Sequence, residues 1–303
     1  MPDKIFVHEV GMRDGLQVEK ETVPTEIKIK WINEIAESGV DIIQCGSFVH
    51  PVKVPTMADT DKIFSHFSKP ENKLNNVILS GLVLNEKGLE RGVACGVEMF
   101  CMGVSASDTH SRKNTGMGTD EAIERIINMA KTAISSGKSI QVSVQSAFGC
   151  GFEGKIPEEK VLGIISKYAD AGIENISLAD TAGHAYPVQV ESMISGVHKI
   201  NTKLKISCHF HETYGLGIAN CYAAYKMGVK YFETAFAGLG GCPFTAKASG
   251  NVCTEDLINM FQRMGIRKDI KTEKFIAVSK EAEEFFKREM PGKVYRMGVL
   301  AQD

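Results

Sequence analysis

The sequence predicts an α/β chain folded as a single TIM (β/α)8 barrel with a short C-terminal helical extension. Three observations predict it. Short runs rich in Val and Ile alternate with amphipathic runs eight times along the chain. Several of the amphipathic runs end at a glycine directly before the next apolar run. Eight β/α units over about 265 residues are the count and length of such a barrel. A doubly wound sheet is the structural alternative, and it more often has fewer strands.

The units follow one another in order. The first strand, 4–10, precedes a helical pattern over 26–38 that stops at Gly39. The second, 40–46, precedes 59–66, and the third, 77–83, precedes 87–94 with Gly96 behind it. The fourth, 97–104, precedes 120–136 and Gly137, and the fifth, 139–147, precedes 158–171 and Gly172. The sixth, 173–178, precedes 188–199, the seventh, 204–209, precedes 217–227 and Gly228, and the eighth, 231–237, precedes 255–264. A glycine just past a helix accepts the left-handed conformation that ends it. Thr119-Asp120-Glu121 and Thr254-Glu255-Asp256 read as helix N-termini, a capping hydroxyl followed by early acids. The tail reads as one further helix over 272–290, stopped by Pro291-Gly292. No Gly/Ser-rich linker divides the chain, so the expected organisation is a catalytic barrel over 1–265 with a helical extension over 266–303.

Composition narrows the function classes. The 303 residues are 43% hydrophobic and 24% charged, as in an ordinary soluble globular protein. A net charge of −2 points to neither nucleic acid nor an anionic membrane as partner. The start, Met1-Pro2-Asp3-Lys4, lacks the basic and then apolar pattern of a signal peptide, and no apolar run is long enough to span a bilayer. The expected location is cytoplasmic. None of the eight cysteines forms a C-x-x-C pair, which argues against zinc-ribbon and thioredoxin-like readings. Asn175-Ile176-Ser177 matches a glycosylation sequon but lies in a strand-like run and is discarded.

The polar residues carry the functional signal. His209 and His211 close the seventh strand, and alternation puts residues i and i+2 on one face. Two imidazoles where a strand opens into a loop form half of a metal site, with Asp14 and Asn251 as candidates for the other half. The plainer reading is two histidines hydrogen-bonded in a polar pocket. In a TIM barrel the active site lies at the C-terminal ends of the strands. There the chain places Arg13-Asp14-Gly15, Gln44 with Ser47, Ser105 with Ser107 and Asp108, Gln145, Asp180-Thr181, and Gly238 to Asn251. Each has a bland alternative. Asp14 could form a surface salt bridge, Cys242 could be a packing cysteine, and Asn251 or Asp180 could cap a helix.

Five segments together resemble the 3-hydroxy-3-methylglutaryl-CoA lyase family of TIM-barrel metallolyases. They are residues 9–17 (Glu-Val-Gly-Met-Arg-Asp-Gly-Leu-Gln), 47–51 (Ser-Phe-Val-His-Pro), 177–183 (Ser-Leu-Ala-Asp-Thr-Ala-Gly), 209–215 (His-Phe-His-Glu-Thr-Tyr-Gly), and Ala237-Gly238-Leu239-Gly240-Gly241-Cys242-Pro243 with Ser249-Gly250-Asn251. The resemblance implies Asp14, His209, His211 and Asn251 as metal ligands, and Arg13, Cys242, Asp180 and His209 as catalytic residues. Candidate substrate-binding residues are Arg13, Gln44, Ser47 and Asn85. Mixed oxygen and nitrogen ligation of low charge fits Mg2+ or Mn2+. The implied reaction cleaves the C2–C3 bond of a hydroxyacyl-CoA. In it Arg13 stabilises the thioester oxygen, Cys242 shuttles protons on a glycine-rich loop, and Asp180 assists proton transfer or orients Arg13. Lys53 and Lys247 are candidates for the CoA phosphates. The family also implies a homodimer.

One departure bears on the substrate. Where the lyases have a Glu at the end of the second strand, this chain has Gln44, which keeps shape and hydrogen bonding but removes a charge and a base. A related acyl group, such as that of citramalyl-CoA, is the alternative substrate. A condensing synthase of the isopropylmalate or homocitrate type is the alternative reaction, and a non-catalytic acyl-CoA- or metal-binding barrel the third reading.

Overall fold

The computed structural model describes residues 4–241 and 250–300. Eight parallel strands close on themselves in sequence order: β1 (Phe6–Glu9), β2 (Ile42–Ser47), β3 (Ile78–Leu82), β4 (Met99–Ser105), β5 (Ser139–Gln145), β6 (Asn175–Ala179), β7 (Lys205–His209) and β8 (Tyr231–Thr234). Closure comes from β1 pairing with β8, Phe6 opposite Tyr231 through Glu9 opposite Thr234. The helices between them are α1 (Thr25–Glu37), α2 (Thr60–Phe67), α3 (Glu86–Ala94), α4 (Asp108–Thr115), α5 (Thr119–Ser135), α6 (Glu158–Asp170), α7 (Pro187–Ile200), α8 (Gly217–Lys226) and α9 (Thr254–Arg263). Helices α10 (Thr272–Phe286) and α11 (Val294–Met297) follow. The expected TIM barrel is what forms, and the five glycines expected to end helices all have positive φ.

The outer shell is apolar. Helices turn apolar stripes onto the strands, as α1 does with Trp31, Ile32 and Ile35, and these side chains are almost fully buried. The barrel axis differs. Most such interiors are filled by branched aliphatic layers, but this one carries hydrogen-bonded polar pairs. His8 Nε2 lies 2.8 Å from Ser80 Oγ, Gln141 donates to Ser207 at 2.9 Å, and His209 meets Glu233 at 3.1 Å. A polar interior is stable only when its groups find partners, and these pairings supply them across strands.

Several elements differ from the sequence reading, each for a local reason. Helix α4 was not expected. It has no apolar stripe, and it begins because Ser107 Oγ accepts the His110 N–H at 3.1 Å. Strand β8 stops at Thr234 rather than 237. Ala235 pairs instead with Cys253, and residues Phe236–Gly238 make a 3-10 turn with Ala237 at φ 59°. Thr119 and Thr254 are the first helical residues, not caps. Their hydroxyls donate to the Ser105 carbonyl at 3.0 Å and to Glu9 Oε2 at 2.5 Å. The tail helix ends at Phe286, where Lys287 turns left-handed, and α11 begins beyond Pro291-Gly292. Helix α10 packs on α1 and on the turn after β8, burying Phe275 and Val278.

Candidate active site and cation site

Two turns and one short bridge build the site. After Glu9 the chain makes a single π-helical turn, Gly11–Gly15, with the Asp14 N–H donating to the Val10 carbonyl at 2.7 Å. Such turns recur at functional sites because they redirect side chains locally. Gly11 is required there, since a Cβ would lie 2.5 Å from the Phe236 ring and 2.6 Å from Glu9 Oε1. The turn delivers Arg13 and Asp14 to the barrel mouth. At the other side β7 ends in His209, and alternation sends Phe210 into the core while His211 returns to the mouth, its ring centroid 5.1 Å from that of His209. Residues 250–253 then fold back as a strand-like segment. His211 pairs with Asn251, the Glu212 N–H donates to the Gly250 carbonyl at 3.0 Å, and the Val252 N–H donates to the Phe210 carbonyl at 3.1 Å.

These elements bring together side chains more than 230 residues apart. Ligand atoms of Asp14, His209 and His211 lie within 4.8 Å of one another. His209 Nε2 is 3.7 Å from Asp14 Oδ2, and the Asn251 amide donates to the same Oδ2 at 3.0 Å. Two buried atoms there have no hydrogen-bond partner, His211 Nε2 and Asn251 Oδ1. Buried polar atoms without partners are uncommon, and a carboxylate, two imidazoles and an amide oxygen are donors that suit a hard divalent cation. The residues present therefore fit a cation. The other ring nitrogens are already engaged: His209 Nδ1 with Glu233 Oε2 at 3.1 Å, His211 Nδ1 with the Asp180 carbonyl at 2.8 Å. Both imidazoles thus turn their Nε2 atoms to the site.

The electrostatics match. Burial alone would raise the Asp14 carboxyl, but Arg13, the two histidines and the Asn251 hydrogen bond reverse this and hold it well below the carboxylate range. Burial, with His209 beside it, pushes His211 down to about 4, so it stays a neutral donor. Burial likewise pushes His8 down to about 4. Burial also opposes the charge on Glu233, yet its hydrogen bond to His209 prevails and holds it at about 2.

Arg13 pairs with Asp14 Oδ1 and donates through Nε to Gln44 Oε1. Gln44 sits where β2 bulges against β3, with Gln44 opposite Ser80 and Gly46 opposite Gly81. A bulge beside a site re-aims a side chain, and here it turns the amide toward the guanidinium. The cavity above is lined by Arg13, Asp14, Gln44, His209, His211 and Glu233, among others.

The other expected residues fall differently. Asp180 Oδ1 accepts the His184 and Ala185 N–H groups at 2.8 and 3.2 Å, its side chain is buried, and burial pushes it up to about 7. Its described contacts fix the β6–α7 loop and, through its carbonyl, His211; none joins it to Arg13. Asn85 spends its oxygen capping α3 at the Gly88 N–H, 2.8 Å away. Ser47 is buried with its N–H donating to Thr60 Oγ1 at 3.2 Å. Neither Asn85 nor Ser47 is among the residues lining the cavity. Cys242 and Lys247 lie outside the described residues. The seven described cysteines are free thiols.

A family model described as HMGL-like matches residues 4–281. The chain belongs to the HMGL-like family. Its relatives include hydroxymethylglutaryl-CoA lyase YngG of Bacillus subtilis, 35% identical over 96% of each chain. The mitochondrial hydroxymethylglutaryl-CoA lyase of Homo sapiens is 36% identical over 91% of this chain and 84% of that one. Among solved structures, an HMG-CoA lyase from Acinetobacter baumannii, in complex with coenzyme A and 3-methylmalate, superposes with a TM-score of 0.91 at 36% identity, covering 99% and 98% of the two chains. HMGL-like membership makes this chain a carbon–carbon lyase of a divalent-metal-dependent family. Among the described residues no helix is long and apolar enough to cross a membrane.

Sequence reasoning missed Glu233 and His8, each an ionisable residue inside an apolar strand run, and it assigned no role to Glu9. Glu9 Oε1 accepts the Gly11 and Phe236 N–H groups at 2.6 and 3.0 Å, tying the HMGL-like Arg-Asp turn to the turn after β8.

Proposed function

We propose that this chain is a Mg2+- or Mn2+-dependent lyase that cleaves the C2–C3 bond of a 3-hydroxy-3-methylglutaryl-CoA-type thioester to acetyl-CoA and acetoacetate. The observation that supports it most is the unpartnered buried His211 Nε2 beside Asp14 and His209, with Asn251, whose Oδ1 is also unpartnered, bonded to Asp14 next to Arg13. Asp14, His209, His211 and Asn251 would hold the cation, which when bound supplies Lewis-acid polarisation of substrate oxygens. Loss of the substrate hydroxyl proton lets the C2–C3 electron pair move to the thioester carbonyl, and the resulting enolate takes a proton at C2. Arg13 is permanently charged, and Gln44 and Asp14 hold it in one orientation, so it stabilises that oxygen as its charge develops. Asp180 positions His211 through its carbonyl. Cys242 is the proposed proton shuttle.

The test is an assay of the purified protein with Mg2+ or Mn2+ and 3-hydroxy-3-methylglutaryl-CoA. Acetyl-CoA and acetoacetate formed in equal amounts, and abolished by chelation, are the expected result. Consumption of acetyl-CoA with a 2-oxo acid instead would establish a condensing synthase and overturn the reading. Gln44 favours one second reading, a related substrate such as citramalyl-CoA, because a neutral amide stands beside Arg13. The same assay on that thioester decides between them.

A further inference from the structure

Glu233 is an acid on β8 that faces the barrel axis, and the mechanism above does not use it. It stands in register between His8 on β1 and His209 on β7. Its Oε2 lies 3.1 Å from His209 Nδ1, the residue is buried among those lining the cavity, and its Oε1 has no hydrogen-bond partner. The neighbouring His8 is turned to Ser80 through Nε2 at 2.8 Å, leaving its Nδ1 without a partner. A buried carboxylate is unfavourable without a donor, and the donor here is the imidazole whose other nitrogen faces Asp14. His211 is held differently, by the neutral carbonyl of Asp180. The two histidines are therefore not equivalent: one is backed by a charge and the other is not.

We propose that Glu233 is a positioning residue for the cation site. It accepts Nδ1–H from His209, which selects the tautomer with a bare Nε2, aims that nitrogen at Asp14, and makes it a stronger donor. This rests on Asp14, His209, His211 and Asn251 being the cation site, as proposed above. The role differs from that of a core ion pair, which would contribute stability alone.

The experiment titrates Mn2+ into wild type, Glu233→Gln and Glu233→Ala, reading free Mn2+ by electron paramagnetic resonance well below each melting temperature. Weakening of Mn2+ binding by about tenfold or more in folded Glu233→Ala, with Glu233→Gln between it and wild type, is expected. A smaller change in folded Glu233→Ala, with only the melting temperature lowered, overturns the proposal. Wild type that fails to bind Mn2+ at all refutes the cation site itself, and this inference with it. Should the variants not fold, nitrogen-15 spectra of wild-type histidines still decide. His209 protonated at Nδ1 and bare at Nε2 supports the proposal, and the reverse tautomer overturns it.

Discussion

Arg13 shows what single residues do here and how far a sequence reveals it. Its guanidinium is fixed by Asp14 on one side and Gln44 on the other, and a fixed charge beside a developing oxyanion is worth about 10²- to 10³-fold in rate when removed. Arg13→Met should therefore lower kcat by that order while leaving the fold unchanged, as steady-state kinetics and circular dichroism would show. Cys242→Ala should leave Mn2+ binding intact and slow turnover greatly, and full rate in that variant would end the proton-shuttle role. His209 and His211 were legible because a strand repeats every two residues. Asp14 and Asn251 were legible as candidates at the same rim, and the longer matching pattern marked them as ligands, since an Asp after an Arg and an Asn before a helix have commoner uses. Asn85 illustrates the reverse: its side chain caps a helix, a task that a polar residue at a strand end performs equally well. Glu233 stayed hidden because β-run patterning records apolar neighbours and is silent about which partner waits across the barrel.

At the scale of elements, strand and helix positions followed from apolar periodicity and glycine stops, and the boundaries shifted where side chains outside the element intervened. The turn after β1 is an example. No propensity predicts a π-helical turn. It is held by Glu9, which accepts the Gly11 and Phe236 N–H groups through one oxygen and meets Thr254 with the other. Burial pushes Glu9 up from the ordinary carboxylate range to about 8, and Glu255, which accepts the Ala237 N–H and the Ser279 hydroxyl, up to about 7. The folded protein holds these protons more tightly than the unfolded chain. The contribution is thus complete below pH 4.5 and is lost as pH rises toward 8. Urea unfolding at several pH values between 5 and 8.5 should show wild-type stability falling across that window. Glu9→Gln, whose amide preserves the same geometry in neutral form, should lose Glu9's part of the slope. A slope unchanged by the substitution would assign the pH dependence elsewhere. Gly11→Ala should cost about 1–3 kcal/mol, since the new methyl meets the buried Phe236 ring and must displace it.

For the whole molecule, barrel closure converts sequence distance into proximity. The β1 turn, the end of β7 and the 250–253 segment have no local reason to meet, and the count of eight strands is what places all three at one rim. That much was legible from alternation alone. The polar axis was not, because which inward residues pair depends on inter-strand register that a single strand does not encode. A cation joining the three segments should stabilise the fold by linkage, about 2.7 kcal/mol at a hundredfold excess over Kd, and the melting temperature should rise with Mn2+ and fall back on chelation. The most direct test of the account is a Mn2+ titration of wild type beside Asp14→Ala, His211→Ala and Asn251→Ala, each checked for folding. One site per chain, weakened in every variant, is the predicted result. Folded variants that bind Mn2+ as tightly as wild type would contradict it.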